Sequence, residues 1–378
     1  MKYLRNVIST TLFAALSLTT GYALQQNGKE APKSTALSAP VAAKVFPSQN
    51  FPSTMISNGL IQAKIFLPYV DKGFYRATRF DWSGIVGSLI YKGHDFYEPW
   101  FYRIDYDATE RGKPNYDFGY DDGGVVSAPF TAMAGPGEEF NTNRGALGFN
   151  EAKVGGTFIK IGVGVERKAD DKPFDHSRTY EVVDHGKWTV KKTKNSITFT
   201  QVLSDPSSGY GYVYTKKLTL VPGQPVMTIE HTLKNTGTKA IDTTVYNHNM
   251  FTLDNTPPGP GLVVKFPFEI KAARPPDPNF AVIDGREIRY IKTLTGTDRV
   301  TSSITGFGPT AADYDWTEEN DKIGAGVHIQ GDQPFTSIAL WSIRTVMAIE
   351  PYNTFHIEPG ADVKWTLKYT YFTMPPEA

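Results

Sequence analysis

The sequence predicts an all-β protein built as a sandwich of antiparallel sheets. Glycine, proline, asparagine and aspartate interrupt the chain at intervals of roughly 8–12 residues, and the runs between them are rich in valine, isoleucine, threonine, tyrosine and phenylalanine. This is the pattern of short strands joined by turns. No amphipathic run is long enough to predict a major helix. We therefore expect one β-sandwich domain over residues 53–378.

The individual strands are predicted from alternation of apolar and polar residues. It is clearest near the C-terminus, where Trp365, Leu367 and Tyr369 share one face and Lys364 and Thr366 share the other. Successive side chains of a strand point to opposite sides, so such a run has one buried and one solvated face. In chain order, the predicted strands are 196–203, 212–221, 227–234, 262–268, 335–343 and 363–372.

The N-terminus has the features of a secretory signal. Lys2 and Arg5 give a positive start, residues 7–18 are mostly apolar, and small residues follow. The apolar run is shorter than the ~20 residues that a membrane-spanning helix needs. We expect a cleaved signal over residues 1–23 and a flexible tether over residues 24–52, with an uncleaved anchor as the alternative. The protein would then be periplasmic or secreted, with no membrane contact after cleavage.

Composition narrows the partners and the chemistry. The 378-residue chain has 39 basic residues, 39 acidic residues and no cysteine. Removing the signal, with its two positive charges, leaves a net charge near −2, which does not favour nucleic acid or an anionic membrane as a partner. The sequence has no His-Glu-X-X-His, no Gly-X-Ser-X-Gly and no complete dinucleotide-binding glycine motif. We expect acid–base chemistry without a metal or cofactor, or plain binding.

One acidic segment, 105–122, could hold a calcium ion. It contains several aspartates. However, it lacks the ordered ligand spacing and the closing glutamate of a calcium loop. A solvated acidic loop is therefore the preferred interpretation.

Two titratable residues far apart in the sequence are the best candidates for catalysis. His248 lies between Asn247 and Asn249, where a strand would otherwise be apolar, and Glu350 ends a strand-like run before Pro351. An imidazole titrates near neutrality and a carboxylate is ionised there, so the two are suited to act as acid and base. The alternatives are a histidine without a functional role and a glutamate that caps a turn. If both are functional, we expect folding to bring them to opposite sides of one ring-sized cavity.

The motifs around this pair resemble the galactose mutarotase-like (aldose 1-epimerase) superfamily. His248 and Phe251 match a His-X-X-Phe motif that follows an Asn-Thr-Gly strand, and Glu350-Pro351 precedes a Pro-Gly and a final aromatic strand. The resemblance covers roughly residues 54–375. The matching runs, in the order of the family, are 58–60, 82–89, 233–237, 248–251, 349–352, 357–360 and 365–372.

This resemblance implies a galactose mutarotase-like supersandwich of large antiparallel sheets and interconversion of the α and β anomers of a sugar. Glu350 would act as the base that takes the anomeric hydroxyl proton, and His248 as the acid that protonates the ring oxygen. Trp341, Tyr246 and Tyr352 could stack on the sugar. The candidates for substrate binding are Arg79, Asp81, Glu138, Asp254 and Tyr352.

The chain also departs from the family pattern. Asn249-Met250 replaces the family's Pro-Tyr, and the second substrate-binding histidine has no match, so that Glu138, Glu139 or Glu151 would take its place. Two other functions therefore stay open. One is a non-catalytic carbohydrate-binding protein, and the other is a glycan lyase or hydrolase that would use Arg79 or Arg144 to neutralise a substrate carboxylate.

Overall fold

The computed structural model describes residues 51–100, 120–121, 124–125, 134–140, 145–176 and 178–375, all within the unit Val45–Ala378. Regular structure in these residues is almost entirely β-strand, with 3-10 turns at Leu253–Asn255 and Ala311–Asp313. The predicted signal and nearly all of the predicted tether lie outside the described residues. So do most of the acidic segment 105–122 and the candidate cation Arg144.

All strands of the described chain pair antiparallel, and many neighbours are consecutive in sequence and joined as hairpins. In chain order they are β1 (Ser53–Ser57), β2 (Ile61–Phe66), β3 (Val86–Tyr91), β4 (His94–Asp95), β5 (Tyr120–Asp121), β6 (Gly124–Val125), β7 (Gly135–Phe140), β8 (Thr157–Lys160), β9 (Gly164–Arg167), β10 (Glu181–Asp184), β11 (Lys187–Lys192), β12 (Ser196–Asp205), β13 (Tyr210–Leu220), β14 (Val226–Asn235), β15 (Ile241–Phe251), β16 (Leu262–Lys265), β17 (Lys271–Arg274), β18 (Ala281–Asp284), β19 (Glu287–Tyr290), β20 (Arg299–Thr305), β21 (Asp315–Asn320), β22 (Ala325–Gly331), β23 (Ser337–Ile343), β24 (Val346–Ile357) and β25 (Asp362–Thr373).

Two large sheets dominate the architecture. The ten-stranded sheet has the order β11-β12-β13-β14-β25-β22-β21-β16-β19-β18, and the six-stranded sheet has the order β17-β20-β23-β24-β15-β7. Smaller sheets are formed by β1 to β4, by β8 to β10, and by β5 with β6. The predicted all-β class with large antiparallel sheets is confirmed.

Each predicted strand overlaps a strand of the structure. The largest difference is at 262–268, where β16 ends at Lys265. Pro267 has no backbone N–H to continue the ladder, and Phe266 instead donates its N–H to the carbonyl of Arg286. The alternation that predicted the strands also explains their burial, because the apolar faces of the two large sheets share one core. Ile197 and Ile349 lie in that core.

The outer face of the six-stranded sheet is also covered, and this feature positions the candidate site. Phe80, Trp82 and Trp100 pack there against Tyr246 and Met250 of β15 in a second buried cluster. As a result, nearly every residue of β15 is buried, whichever side of the sheet it faces. Because both faces are buried, a charged or polar side chain on this strand needs a hydrogen-bonding or charged partner whichever face it points to.

The structure contains no long helix in its described ranges. None of the described residues forms a helix long and apolar enough to cross a lipid bilayer. Across the same ranges, no three histidine, aspartate or glutamate side chains are grouped so that they could hold a metal ion.

Candidate functional site

His248 and Glu350 meet across two neighbouring strands. β15 and β24 pair with Tyr246 opposite Tyr352 and Asn249 opposite Ile349, and this register places His248 opposite Glu350. The Nε2 atom of His248 lies 3.2 Å from Oε1 of Glu350. About a hundred residues of sequence thus separate two groups that are cross-strand neighbours, the closest relationship that a sheet provides.

Aromatic side chains enclose this pair. The rings of Phe80 and Trp341 pack edge-on against the His248 imidazole at centroid distances of 5.8 and 5.4 Å. Tyr246 and Tyr352 stack beside it at 4.6 Å. The pair is nearly enclosed, with side-chain exposures of 6% for His248 and 13% for Glu350. The two groups touch each other, whereas the sequence led us to expect a ring-sized space between them.

Burial lowers the pKa of His248 and raises that of Glu350, so that the carboxyl group becomes the weaker acid of the two. Loss of hydration and the positive charge of Arg79 together lower the pKa of His248 to about 3. Burial raises the pKa of Glu350 to about 7, against an opposing effect of Arg79. Both shifts disfavour the charged form, as expected away from water. Near neutral pH, the proton of the pair therefore resides on Glu350, whereas the sequence-based prediction gave the acidic proton to His248.

The remaining hydrogen-bonding atoms of the pair face the enclosure. The hydroxyl of Tyr352 donates to Oε2 of Glu350 at 3.3 Å. The Nδ1 atom of His248 is buried and has no partner among the described residues. An unpartnered buried ring nitrogen costs free energy, and it offers a ligand a hydrogen-bonding position next to the carboxyl group.

A second group of charges lies beside the pair on the same face of the sheet. Arg79 Nε donates to Glu139 Oε2 at 2.6 Å, and Arg79 Nη2 donates to the Tyr246 hydroxyl at 2.9 Å. That hydroxyl donates in turn to Glu139 Oε2 at 2.7 Å. Lys160 Nζ contacts Glu139 Oε1 at 3.3 Å. Burial alone would raise the pKa of Glu139, but Arg79 and Lys160 hold it at about 2, so this carboxylate keeps its charge and fixes Arg79 in place.

Of the five candidates for substrate binding, Arg79 and Tyr352 lie at the site and the other three do not. Asp81 and Glu138 are each 1% exposed and lie in a separate cluster between the two large sheets. Asp254 contacts Nδ1 of His94 at 2.6 Å and accepts the backbone N–H of Asp95 at 2.8 Å. The assignment of Asp81, Glu138 and Asp254 to sugar contact is therefore corrected.

The physical reason is clearest for Glu138 and Glu139. In the β7–β15 pairing, Glu138 stands opposite Asn247 and Glu139 stands opposite Tyr246. Consecutive strand residues point to opposite faces, so Glu138 enters the space between the large sheets and Glu139 reaches the outer face. The sequence offered both as replacements for a missing histidine and contains no signal that separates them, because their side chains are chemically identical.

Lys160 and Phe80 are site residues that the sequence analysis did not identify. Lys160 is fully buried and interrupts the apolar run Phe158-Ile159-Lys160-Ile161, a context that indicates a paired charge. Phe80 follows Arg79 directly, and the Arg79 guanidinium lies over its ring at 4.7 Å. A cation beside an aromatic residue is a weak signal by itself, since such pairs are common on ordinary surfaces.

The fold and the site together define a β-sandwich protein with a buried carboxyl–imidazole pair under an aromatic cover. No protein-family model matches the sequence, and no curated protein matches it. Similar solved structures include a galactose mutarotase-like protein from Clostridium acetobutylicum, which is 12% identical with a TM-score of 0.49 over 85% of this chain and 95% of that one.

Two further solved structures are comparable. A galactose mutarotase-like protein from Lactobacillus casei is 13% identical, with a TM-score of 0.47 over 85% of this chain and 100% of that one. A putative aldose 1-epimerase from Escherichia coli K12 is 10% identical, with a TM-score of 0.48 over 85% of this chain and 99% of that one. At such identities the likeness concerns the architecture and does not extend to catalytic residues.

Proposed function

We propose that this chain is a carbohydrate-active protein that interconverts the anomers of a sugar by proton transfer at Glu350 and His248. The observation that carries the proposal is the 3.2 Å contact between the two groups, with the carboxyl group titrating near neutral pH. A catalytic acid or base is most effective when its pKa is close to the working pH. The aromatic rings around the pair suit the apolar faces of a sugar.

The proposed chemistry moves one proton from the anomeric hydroxyl to the ring oxygen. In the resting state Glu350 holds the proton, so it donates to the ring oxygen while His248 accepts the hydroxyl proton, and the ring opens to a carbonyl. The carbonyl group then rotates and the ring closes on its other face. Closure runs the same transfers backwards, so Glu350 takes its proton back from the former ring oxygen and His248 returns one to the carbonyl oxygen. The resemblance implied the opposite assignment, with Glu350 as the base at the anomeric hydroxyl and His248 as the acid at the ring oxygen.

The charge-separated form of the pair is the costly intermediate of this cycle. It places a carboxylate and an imidazolium in a site that disfavours both, by the pKa values of about 7 and about 3. Their mutual attraction at 3.2 Å offsets part of this cost. Ring closure removes this charge separation, because it returns the proton to Glu350 and leaves His248 neutral.

The test is the rate of optical-rotation change in freshly dissolved aldoses, measured with and without the protein. Glu350→Gln and His248→Asn should each lower the catalysed rate by ~10²-fold or more, since a positioned acid or base contributes ~10²–10⁴-fold. Glu358→Gln is the matched control, because this glutamate follows the same strand with a side chain 69% exposed. Full activity in either site variant would refute the assignment.

A binding function without catalysis is the second candidate. It is favoured by the direct contact of His248 with Glu350, which leaves no ring-sized gap between them. Calorimetric titration with the same sugars separates the two functions. Heat of binding without any change in the rate of anomer exchange would support binding alone.

A lyase function has less support in the described residues. Its mechanism needs a cation that is free to neutralise a substrate carboxylate, and Arg79 is already paired with Glu139 and Tyr246. Formation of an unsaturated product that absorbs in the ultraviolet would nevertheless identify a lyase in the same assays.

We also propose that the protein acts outside the cytoplasm. The support is the sequence pattern of residues 1–23, with its positive start and short apolar run. Fractionation of expressing cells, followed by N-terminal sequencing of the protein from each fraction, tests this proposal. An intact N-terminus in the cytoplasmic fraction alone would contradict it.

A further inference from the structure

A second cluster of buried charged groups lies between the two large sheets, separate from the His248–Glu350 pair. It consists of Asp81, Glu138, Lys216 and His231, which we call the inner cluster, and each residue is at most 2% exposed. Lys216 Nζ lies 3.3 Å from Asp81 Oδ2 and in contact with Glu138 Oε2. The proposed sugar chemistry uses none of these groups. An amine and two carboxyl groups are therefore held together out of contact with bulk solvent.

The Asp81 carboxyl group is fixed by three donors besides the lysine. The backbone N–H and the hydroxyl of Ser83 donate to it at 2.8 and 2.7 Å. The hydroxyl of Tyr214 donates to Oδ2 at 3.1 Å. Hydrogen-bond donors on a carboxyl oxygen polarise the group and stabilise negative charge that develops on that oxygen when a nucleophile adds.

Glu138 is placed to accept a proton from the amine. Its Oε1 atom contacts His231 Nε2 at 2.9 Å and accepts from the Asn247 side-chain amide at 2.9 Å, while Oε2 contacts Lys216. Burial would raise the pKa of Glu138, but Lys216 and His231 hold it at about 2, so it is a carboxylate. Burial would lower the pKa of Lys216, but Glu138 and Asp81 raise it, so transfer of the lysine proton to Glu138 is uphill and the free amine forms only transiently. Burial raises the pKa of Asp81, so Asp81 is the carboxyl group of the two that is more readily neutralised.

Two glycines lie in close contact with the side chains of Asp81 and Lys216 and restrict their positions. Gly162 has a φ of +80°, and a Cβ there would lie 2.8 Å from Cβ of Asp81. Gly84 has a φ of +69°, and a Cβ there would lie 3.0 Å from Cε of Lys216. Only glycine permits both this conformation and this close approach. The backbone at Gly162 restrains Asp81, and the backbone at Gly84 restrains Lys216. Two groups held close together in a fixed orientation react faster than two groups that must first meet.

We propose that Lys216 and Asp81 condense to form an intramolecular isopeptide bond, with Glu138 as the proton carrier. Glu138 takes a proton from the Lys216 ammonium, and the free amine attacks Cγ of Asp81. The C–N bond forms, the C–O bond to one carboxyl oxygen breaks, and that oxygen leaves as water with the protons that the amine has lost. The products are an amide and one water molecule, and no oxidant, reductant or activating group is needed.

Burial supplies the reason for condensation to proceed here. In water an ammonium and a carboxylate are strongly hydrated, which favours the separate ions over an amide. At 0% and 1% exposure most of that hydration is lost, and the raised pKa of Asp81 indicates that the attraction of Lys216 does not fully offset the desolvation of this carboxyl group. An amide carries no net charge and leaves Glu138 paired with His231. The bond would join the segment before β3 to the middle of β13.

The experiment is mass spectrometry of the purified full chain under denaturing conditions, with the N-terminus read from fragment ions. We expect a mass about 18 Da below that of the sequence, the mass of one water molecule, and a branched peptide that joins Lys216 to Asp81 after proteolysis. An unmodified mass would overturn the proposal. A branch at Glu138 in place of Asp81 would also overturn it, since the roles of the two carboxyl groups would be reversed.

Variants test the chemistry independently of folding. Asp81→Asn retains an acyl group of the same shape but releases ammonia, so the deficit should change from about 18 to about 17 Da. Glu138→Gln should give the unmodified mass, because the proton acceptor is lost. Lys217→Arg is the matched control, since this neighbouring lysine is 44% exposed and pairs with Glu230, and it should keep the full deficit. An unchanged 18 Da deficit in Asp81→Asn would contradict the assignment.

Discussion

Replacing Glu350 with glutamine should stabilise the protein at high pH, even though the same change should abolish its proposed activity. Burial raises the pKa of this carboxyl group from 4.5 to about 7. The folded state therefore binds the proton more tightly than the unfolded state does. The resulting stabilisation is fully present below pH 4.5 and is lost as the pH rises through 7, where the folded protein must bury a carboxylate.

The size of the effect follows from the shift in pKa. The difference between 4.5 and about 7, at 1.36 kcal/mol per unit, corresponds to about 3 kcal/mol of unfolding free energy. Glutamine keeps the shape of the side chain and can retain a hydrogen bond with the Tyr352 hydroxyl, but it carries no charge at any pH. At pH 8.5 the Glu350→Gln variant should thus be more stable than the wild type by up to about 3 kcal/mol, and near pH 4.5 the two should be equal.

Urea unfolding of both proteins between pH 4.5 and 9 measures this difference directly. Subtracting the wild-type unfolding free energy from that of the variant at each pH removes the contribution of every other titrating group. This requires that the two proteins have the same dependence of unfolding free energy on urea concentration. Glu358→Gln, an exposed change beyond the same strand, should show no such pH-dependent gain. If the difference between variant and wild type were the same at pH 4.5 and pH 8.5, the burial of a titrating carboxyl group at this site would be wrong.

Two further predictions concern the charges beside the pair. Tyr246→Phe removes the hydroxyl that donates to Glu139 and accepts from Arg79, so it should lower the unfolding free energy by ~1–3 kcal/mol in urea, whereas Tyr210→Phe at a partly exposed position should change it much less. Arg79→Met removes the guanidinium that is closest to the buried Glu139 and should cost ~3–5 kcal/mol, most of which the double variant with Glu139→Gln should restore; no restoration would show that the loss is not electrostatic. Arg79 lowers the pKa of Glu350 and Glu139 raises it, with Arg79 having the larger effect, so the double variant should move the pH profile of sugar interconversion upward, by less than Arg79→Met alone.

Much of the fold could be predicted because the information is local. In β25 the alternation of Trp365, Leu367 and Tyr369 with polar residues fixes which face is buried, and a strand has only two faces. His231 alternates in the sequence with Met227, Ile229 and Leu233, a position typical of a hydrogen-bonded core residue, and it is buried with Glu138 as its partner. The end of β16 was missed because it depends on a proline and on a bond to a distant carbonyl.

The sequence by itself determined the strand pattern and which two residue types could exchange a proton, since both follow from side-chain chemistry and its spacing along the chain. Only the tertiary structure decided the rest. The register of β15 on β24 brings His248 against Glu350, and the parity of β7 sends Glu138 inward and Glu139 outward. The protonation state of the pair follows from its burial. Burial depends on which distant segments cover a residue, and the spacing of residues along the sequence does not determine this.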